Sequence, residues 1–154
     1  MKKFFFIIFT AIIFSMLLFS VNAMAESKAD KYLGEKEMCL ETVRIKETRI
    51  LDDQTILFEM VGGTIYINRL LVPCFGLKIS GGFKYSTSID KLCKQDNVRV
   101  VETGSKLGST CMLGDFVQFK EKGNLNNVQK LMEGGLLKEL VAEGAFKEAF
   151  PEKK

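Results

Sequence analysis

The chain has 154 residues, 47% of them hydrophobic, with four cysteines and neither histidine nor tryptophan. Its 22 basic and 19 acidic side chains leave a formal charge of +3, without the Lys/Arg run that marks a nucleic-acid footprint. Lacking histidine, it is excluded from Ser-His-Asp and Cys-His catalysis and from histidine-bound metal chemistry.

Lys2 and Lys3 precede an apolar run from Phe4 to Phe19 that is broken only by Thr10 and Ser15, and Ala23-Met24-Ala25 follows as a small-x-small site. This is the three-part layout of a secretory signal peptide, with cleavage expected after Ala25. A membrane anchor would need about 20 apolar residues, more than this run supplies, so no stable transmembrane anchor is expected after cleavage. The processed chain is expected in the periplasm or outside the cell. Cleavage removes both leader lysines and leaves the remainder almost neutral.

Residues 26–37 are polar and densely charged and read as a flexible N-terminal segment. A β-domain is expected over 38–120 and a helical extension over 121–154. Leu40 to Ile45 alternates weakly and is a candidate strand, which Thr48 to Leu51 continues. Asp52-Asp53-Gln54 is a turn signal, because short polar side chains bond their own backbone there.

Thr55 to Val61 and Thr64 to Leu70 are strand-like runs separated by Gly62-Gly63, the pattern of a two-residue hairpin turn. Placing Val61 opposite Thr64 pairs Met60 with Ile65, Phe58 with Ile67 and Ile56 with Arg69. One face then carries Ile56, Phe58, Met60, Ile65 and Ile67, and the other Leu57, Glu59, Val61, Thr64, Tyr66 and Asn68. A one-residue slip would destroy that agreement.

Pro73 beside Cys74 ends the second strand, since proline cannot donate to a ladder. Gly81-Gly82 opens a short segment from Phe83 to Ser86, and Ile89 to Cys93 has the length of one helical turn. Asn97 to Glu102 reads as a strand with Val98 and Val100 inward and Arg99 outward. Gly104 to Ser109 is a turn, and Thr110 to Phe119 a last strand with a bulge at Gly114-Asp115. Five or six short strands point to a mainly β fold, either a small antiparallel β-barrel of the OB or SH3 kind or a sandwich.

From Leu125 the period changes. Leu125, Val128, Leu131, Met132, Leu136, Leu137, Leu140 and Val141 recur at helical spacing, with Asn126 and Asn127 as N-caps and Gly134-Gly135 dividing the run. Packing on the β-domain is the plain reading; an apolar face offered to a partner or membrane surface is the sharper one.

Cys39, Cys74, Cys93 and Cys111 form an even set in a chain read as exported, with no C-x-x-C pair. Disulfides are therefore expected rather than a metal site, and the spacing leaves every connectivity open.

Six segments carry a resemblance: Leu51-Asp52-Asp53-Gln54-Thr55-Ile56-Leu57-Phe58, Tyr66-Ile67-Asn68-Arg69-Leu70, Cys74-Phe75-Gly76-Leu77, Phe83-Lys84-Tyr85, Leu92-Cys93-Lys94-Gln95-Asp96 and Cys111-Met112-Leu113-Gly114-Asp115-Phe116. With these, Cys39 to Phe119 resembles a family of small exported bacterial proteins for which no activity is established. The resemblance omits the helical extension, and Phe75 stands where similar proteins usually have proline. It implies the pairs Cys74–Cys111 and Cys39–Cys93, because divergent relatives keep only the cysteines matching Cys74 and Cys111. It implies no substrate and no cofactor.

Without histidine or a free thiol, catalysis would fall to carboxylates such as Asp52, Asp53, Asp96 and Asp115, in the acid and base pairing that glycosidases use. Aspartate is ordinary at turns, so an enzyme is the third choice. Arg69 is expected to need a carboxylate, with Asp96 and Asp115 as candidates. Ser80-Gly81-Gly82-Phe83-Lys84-Tyr85 with Lys94 and Asp96 resembles part of the pattern of periplasmic lysozyme inhibitors, whose remaining motif is absent; Lys84 or Ser80 would then enter an enzyme's acidic cleft. The favoured expectation is a non-catalytic module that contacts an unknown protein or envelope component. Tyr66, Asn68, Arg69, Phe83 and Tyr85 are the candidate contact surface.

Overall fold

The computed structural model describes residues 27–87, 89–102, 106–121 and 124–146. The expected leader and its cleavage site lie outside these residues. Among the described residues the fold is mainly β, with ten strands in three antiparallel sheets and no closed barrel, so the sandwich alternative holds. The first sheet has five strands: β1 (Leu33–Glu37), β3 (Ile45–Ile50), β4 (Thr55–Met60), β5 (Ile65–Arg69) and β10 (Phe116–Phe119), in the order β1-β10-β5-β4-β3. A two-stranded sheet joins β2 (Cys39–Glu41) to β7 (Lys91–Cys93), and a three-stranded sheet runs β6 (Phe83–Tyr85), β8 (Asn97–Val101), β9 (Leu107–Met112).

Helices α1 (Lys28–Tyr32), α3 (Leu125–Leu131) and α4 (Leu137–Ala142) and the π-helical turn Met132–Leu136 form a separate layer; α2 (Leu77–Ser80) sits between β5 and β6 in the chain. The five-stranded sheet is the middle of three layers. Toward the small sheets, Ile56, Phe58, Met60 and Phe116 pack against Leu40, Leu92, Val98, Val100 and Leu113. Toward the helices, Leu57, Ile65, Ile67, Val117 and Phe119 pack against Leu125, Val128, Met132, Leu136 and Leu140. Every residue of β4 is consequently buried.

The β4–β5 hairpin forms one residue out of the expected register. Glu59 pairs with Ile65, Phe58 with Tyr66 and Leu57 with Ile67, so Ile56, Phe58 and Met60 share a face with Tyr66 and Asn68. The loop is Val61-Gly62-Gly63, closed by Met60 N–H donating to Thr64 O at 2.8 Å, with both glycines at positive φ. The expected register assumed one apolar face, but this sheet is covered on both, so apolar alternation does not select between neighbouring registers.

Four further expectations are corrected. The charged segment 26–37 supplies α1 and the edge strand β1, which pairs with β10 and buries only Leu33. The stretch expected as one helical turn contains β7, paired with β2. The single last strand is two, because Leu113 to Asp115 carry the chain from the three-stranded sheet to the five-stranded one. The N-cap of α3 is Asn124, whose side chain accepts from Asn127 N–H; the helical run is divided at Gly135, as its glycines imply. Val98 and Val100 point inward and Arg99 outward, as expected.

Candidate functional site

Two bridges staple the fold: Cys39–Cys93 within the β2–β7 pair, and Cys74–Cys111 inside the core. Cys74 and Cys111 are 1% and 3% exposed, while Cys39 and Cys93 are half-buried. No described helix is long and apolar enough to cross a membrane.

The four carboxylates singled out in the sequence all have partners inside the fold. Asp52 Oδ1 accepts from Gln54 N–H at 2.7 Å and Asp53 Oδ1 from Lys78 N–H at 2.8 Å. Asp96 Oδ2 accepts from Cys93 N–H at 2.6 Å, and Asp115 pairs with Lys94 Nζ at 2.7 Å. The first three accept from turn or helix-start N–H groups, and the Asp115–Lys94 pair ties the 93–96 turn to the strand crossover. The expected carboxylate partner of Arg69 is replaced by neutral oxygens: Nη2 donates to Gln54 Oε1 at 2.9 Å and Nη1 to Thr55 Oγ1 at 3.1 Å.

The expected contact surface does not form one patch. Asn68 is wholly buried and bonds both edges of the Gly114 peptide. Phe83 is half-buried and packs edge-on against Phe58 at 6.2 Å between ring centres, on the margin of the core. Arg69 borders a cleft of only 10 Å³ beside Phe146. Tyr66 lines a groove of 270 Å³ with Glu37, Cys39 and Arg44; burial and the Glu37 carboxylate push its phenol above the ordinary value.

Tyr85 lies elsewhere, on a groove of 560 Å³ along the three-stranded sheet, with Lys84, Ser86, Gln95, Asn97 and Arg99. No family model, no curated protein and no solved structure matches the chain. Gln95 holds φ at 71°, the one non-glycine positive φ among the described residues, and its N–H donates to Leu113 O at 2.9 Å. That turn sets Asp96 and Asn97 at the groove wall. Lys84 and Arg99 are exposed and directly opposite on β6 and β8.

Of the expected contact residues only Tyr85 reaches this groove, joined there by Lys84 and Asp96 of the inhibitor-like pattern. Arg99, Asn97, Gln95 and Ser86 were not legible as a site. Arg99 reads from sequence as an outward strand residue, but its neighbour Lys84 is known only from the pairing of β6 with β8.

Proposed function

We propose that this protein is exported and acts outside the cytosol as a non-catalytic contact module, in the periplasm or beyond it, engaging a protein or envelope component through the groove on the three-stranded sheet. Export is supported by the leader pattern and by two bridges of the kind that persist in oxidising compartments. The observation that carries the contact reading is the groove itself, roomy, lined mostly by polar residues and held by a turn with strained backbone. The engagement of Asp52, Asp53 and Asp96 by backbone N–H groups and of Asp115 by Lys94 supports binding over carboxylate hydrolysis.

Two measurements test this. N-terminal sequencing of the protein from cell fractions is expected to begin at Glu26; cytosolic material starting at Met1 with titratable thiols would overturn export. A photo-crosslinking residue at Ser86 is expected to yield adducts in cells, and one at Lys130 on the helical layer is not. Equal yields from the two positions would remove the groove as the contact face.

A second reading as a periplasmic enzyme inhibitor is favoured by Lys84, Tyr85 and Asp96 meeting on the one groove. Inhibition of lysozyme by the purified chain checks it, and no effect at micromolar concentration ends it.

A further inference from the structure

At one edge of the three-stranded sheet lies β6, paired on its inner side with β8. Val101 N–H donates to Gly82 O at 3.0 Å, and antiparallel ladders alternate bonded pairs with unbonded ones. Lys84 and Arg99 therefore exchange backbone bonds, while Phe83 and Tyr85 turn their N–H and C=O groups away from β8. Among the described residues nothing bonds those outward groups. Side chains alternate across the same three positions. Phe83 and Tyr85 share the face of the buried Val98 and Val100, their ring centres 6.3 Å apart and Tyr85 still 37% exposed. Lys84 lies on the opposite face beside Arg99, and among the described residues neither side chain has an ion pair or a hydrogen bond.

We infer that β6 binds an extended acidic peptide as an added strand, with a carboxylate side chain opposite Lys84 and apolar side chains opposite Phe83 and Tyr85. This rests on the contact reading above and names the partner's chemistry and its mode of docking. Three features of β6 fall in one register. The outward N–H and C=O groups of Phe83 and Tyr85 match a partner main chain that offers the same groups at alternate residues, which a saccharide does not. Apolar side chains at those residues cover the exposed margin of the Tyr85 ring. Between them, the residue opposite Lys84 points to the cationic face. Opposite charges across strands attract and like charges repel, so Lys84, with the Arg99 charge behind it, selects a carboxylate there. The same lysine excludes a second copy of this chain, because pairing two β6 edges over their full length would set Lys84 against itself. A lysine at the centre of a short edge also turns away apolar strands. The charge that protects this edge from aggregation is thus the one that chooses its partner.

The test is calorimetric titration of the exported, oxidised protein at low salt with a short peptide alternating valine and glutamate, its valine–lysine counterpart, and an oligogalacturonate. The glutamate peptide is expected to bind, and the lysine peptide about tenfold more weakly, as opposite and like cross-strand charges differ. N-methylation of the valines, whose amides would meet β6, should weaken binding about tenfold or more through lost ladder bonds. N-methylation of the glutamates, whose amides would face away, should leave it intact. Hydrogen exchange at the Phe83 and Tyr85 amides should slow when the peptide binds. Lys84→Glu should invert the preference between the two peptides, and because Lys84 is exposed this variant should keep the wild-type melting curve. Equal binding of the valine-methylated peptide, an unchanged order of preference in Lys84→Glu, binding of the oligogalacturonate in place of the peptide, or no binding at millimolar peptide would each overturn the inference. Crosslinking from Ser86 in cells would survive those results, so the two proposals fail separately.

Discussion

The carboxamide of Asn68 closes a ring with the Gly114 peptide, Nδ2 donating to Gly114 O at 2.8 Å and Oδ1 accepting from Gly114 N–H at 3.1 Å. A Cβ at Gly114 would lie 2.1 Å from Arg69 O, and backbone cannot yield that space cheaply. Gly114→Ala is therefore expected to cost about 3 kcal/mol, the upper range for overpacking. Asn68→Ala strands two buried backbone groups and should cost about 2 kcal/mol. Urea unfolding of each checks these values, and the pair should be non-additive because both remove one contact. At Tyr66 the folded phenol ionises above its ordinary value of 10.0 because burial disfavours the anion. Stability from this group is then fully present below that value and falls as pH rises through the raised one. Unfolding midpoints measured from neutral to strongly alkaline pH should fall less steeply in Tyr66→Phe than in wild type. The Asx turn at Asp52 and the outward position of Arg99 were readable in the sequence, but the burial of Asn68 and its clamp were not, since its partner lies 46 residues away in the chain.

At the level of elements, the helical layer is a lid on one face of the five-stranded sheet. Leu140, at 0% exposure, packs with Leu57, Ile67 and Phe119. Leu140→Ala is expected to cost about 2–5 kcal/mol, the usual range for emptying a core leucine site. Deleting the chain from Leu125 onward would bare Ile65, Ile67, Val117 and Phe119, and loss of cooperative thermal unfolding in that truncation is the expected result; an unchanged melt would show the layer to be dispensable. The period of Leu125 to Val141 made these helices legible, because a buried helical face needs apolar residues every third or fourth position. The edge strand β1 was illegible for the opposite reason. An edge strand is joined by backbone hydrogen bonds, so a single buried leucine suffices for a segment that is otherwise charged.

For the whole molecule, the paired cysteines and the helical extension were within reach of sequence, and layer order and sheet closure were not. Strand lengths alone do not distinguish a closed barrel from stacked sheets; here the crossover at Leu113 to Asp115 moves the chain between sheets and leaves them open. The two bridges differ in access, one inside the core and one on an outer pair of strands. Graded reduction with a dithiol, quenched by alkylation and mapped by mass spectrometry, is expected to label Cys39 and Cys93 first. Cys74 and Cys111 should react only as the core opens, and simultaneous labelling of all four would contradict the burial difference. Each bridge contributes about 2–4 kcal/mol by restricting the unfolded chain.

Their overlap does something else as well. The first bridge spans positions 39 to 93 and the second 74 to 111, so each bridge begins or ends inside the loop closed by the other. A protease that cuts one peptide bond anywhere between Cys39 and Cys111 produces two pieces still joined through sulfur. Such a nicked molecule keeps its mass on a non-reducing gel and can keep its shape, so a single scission leaves both fragments in the same particle.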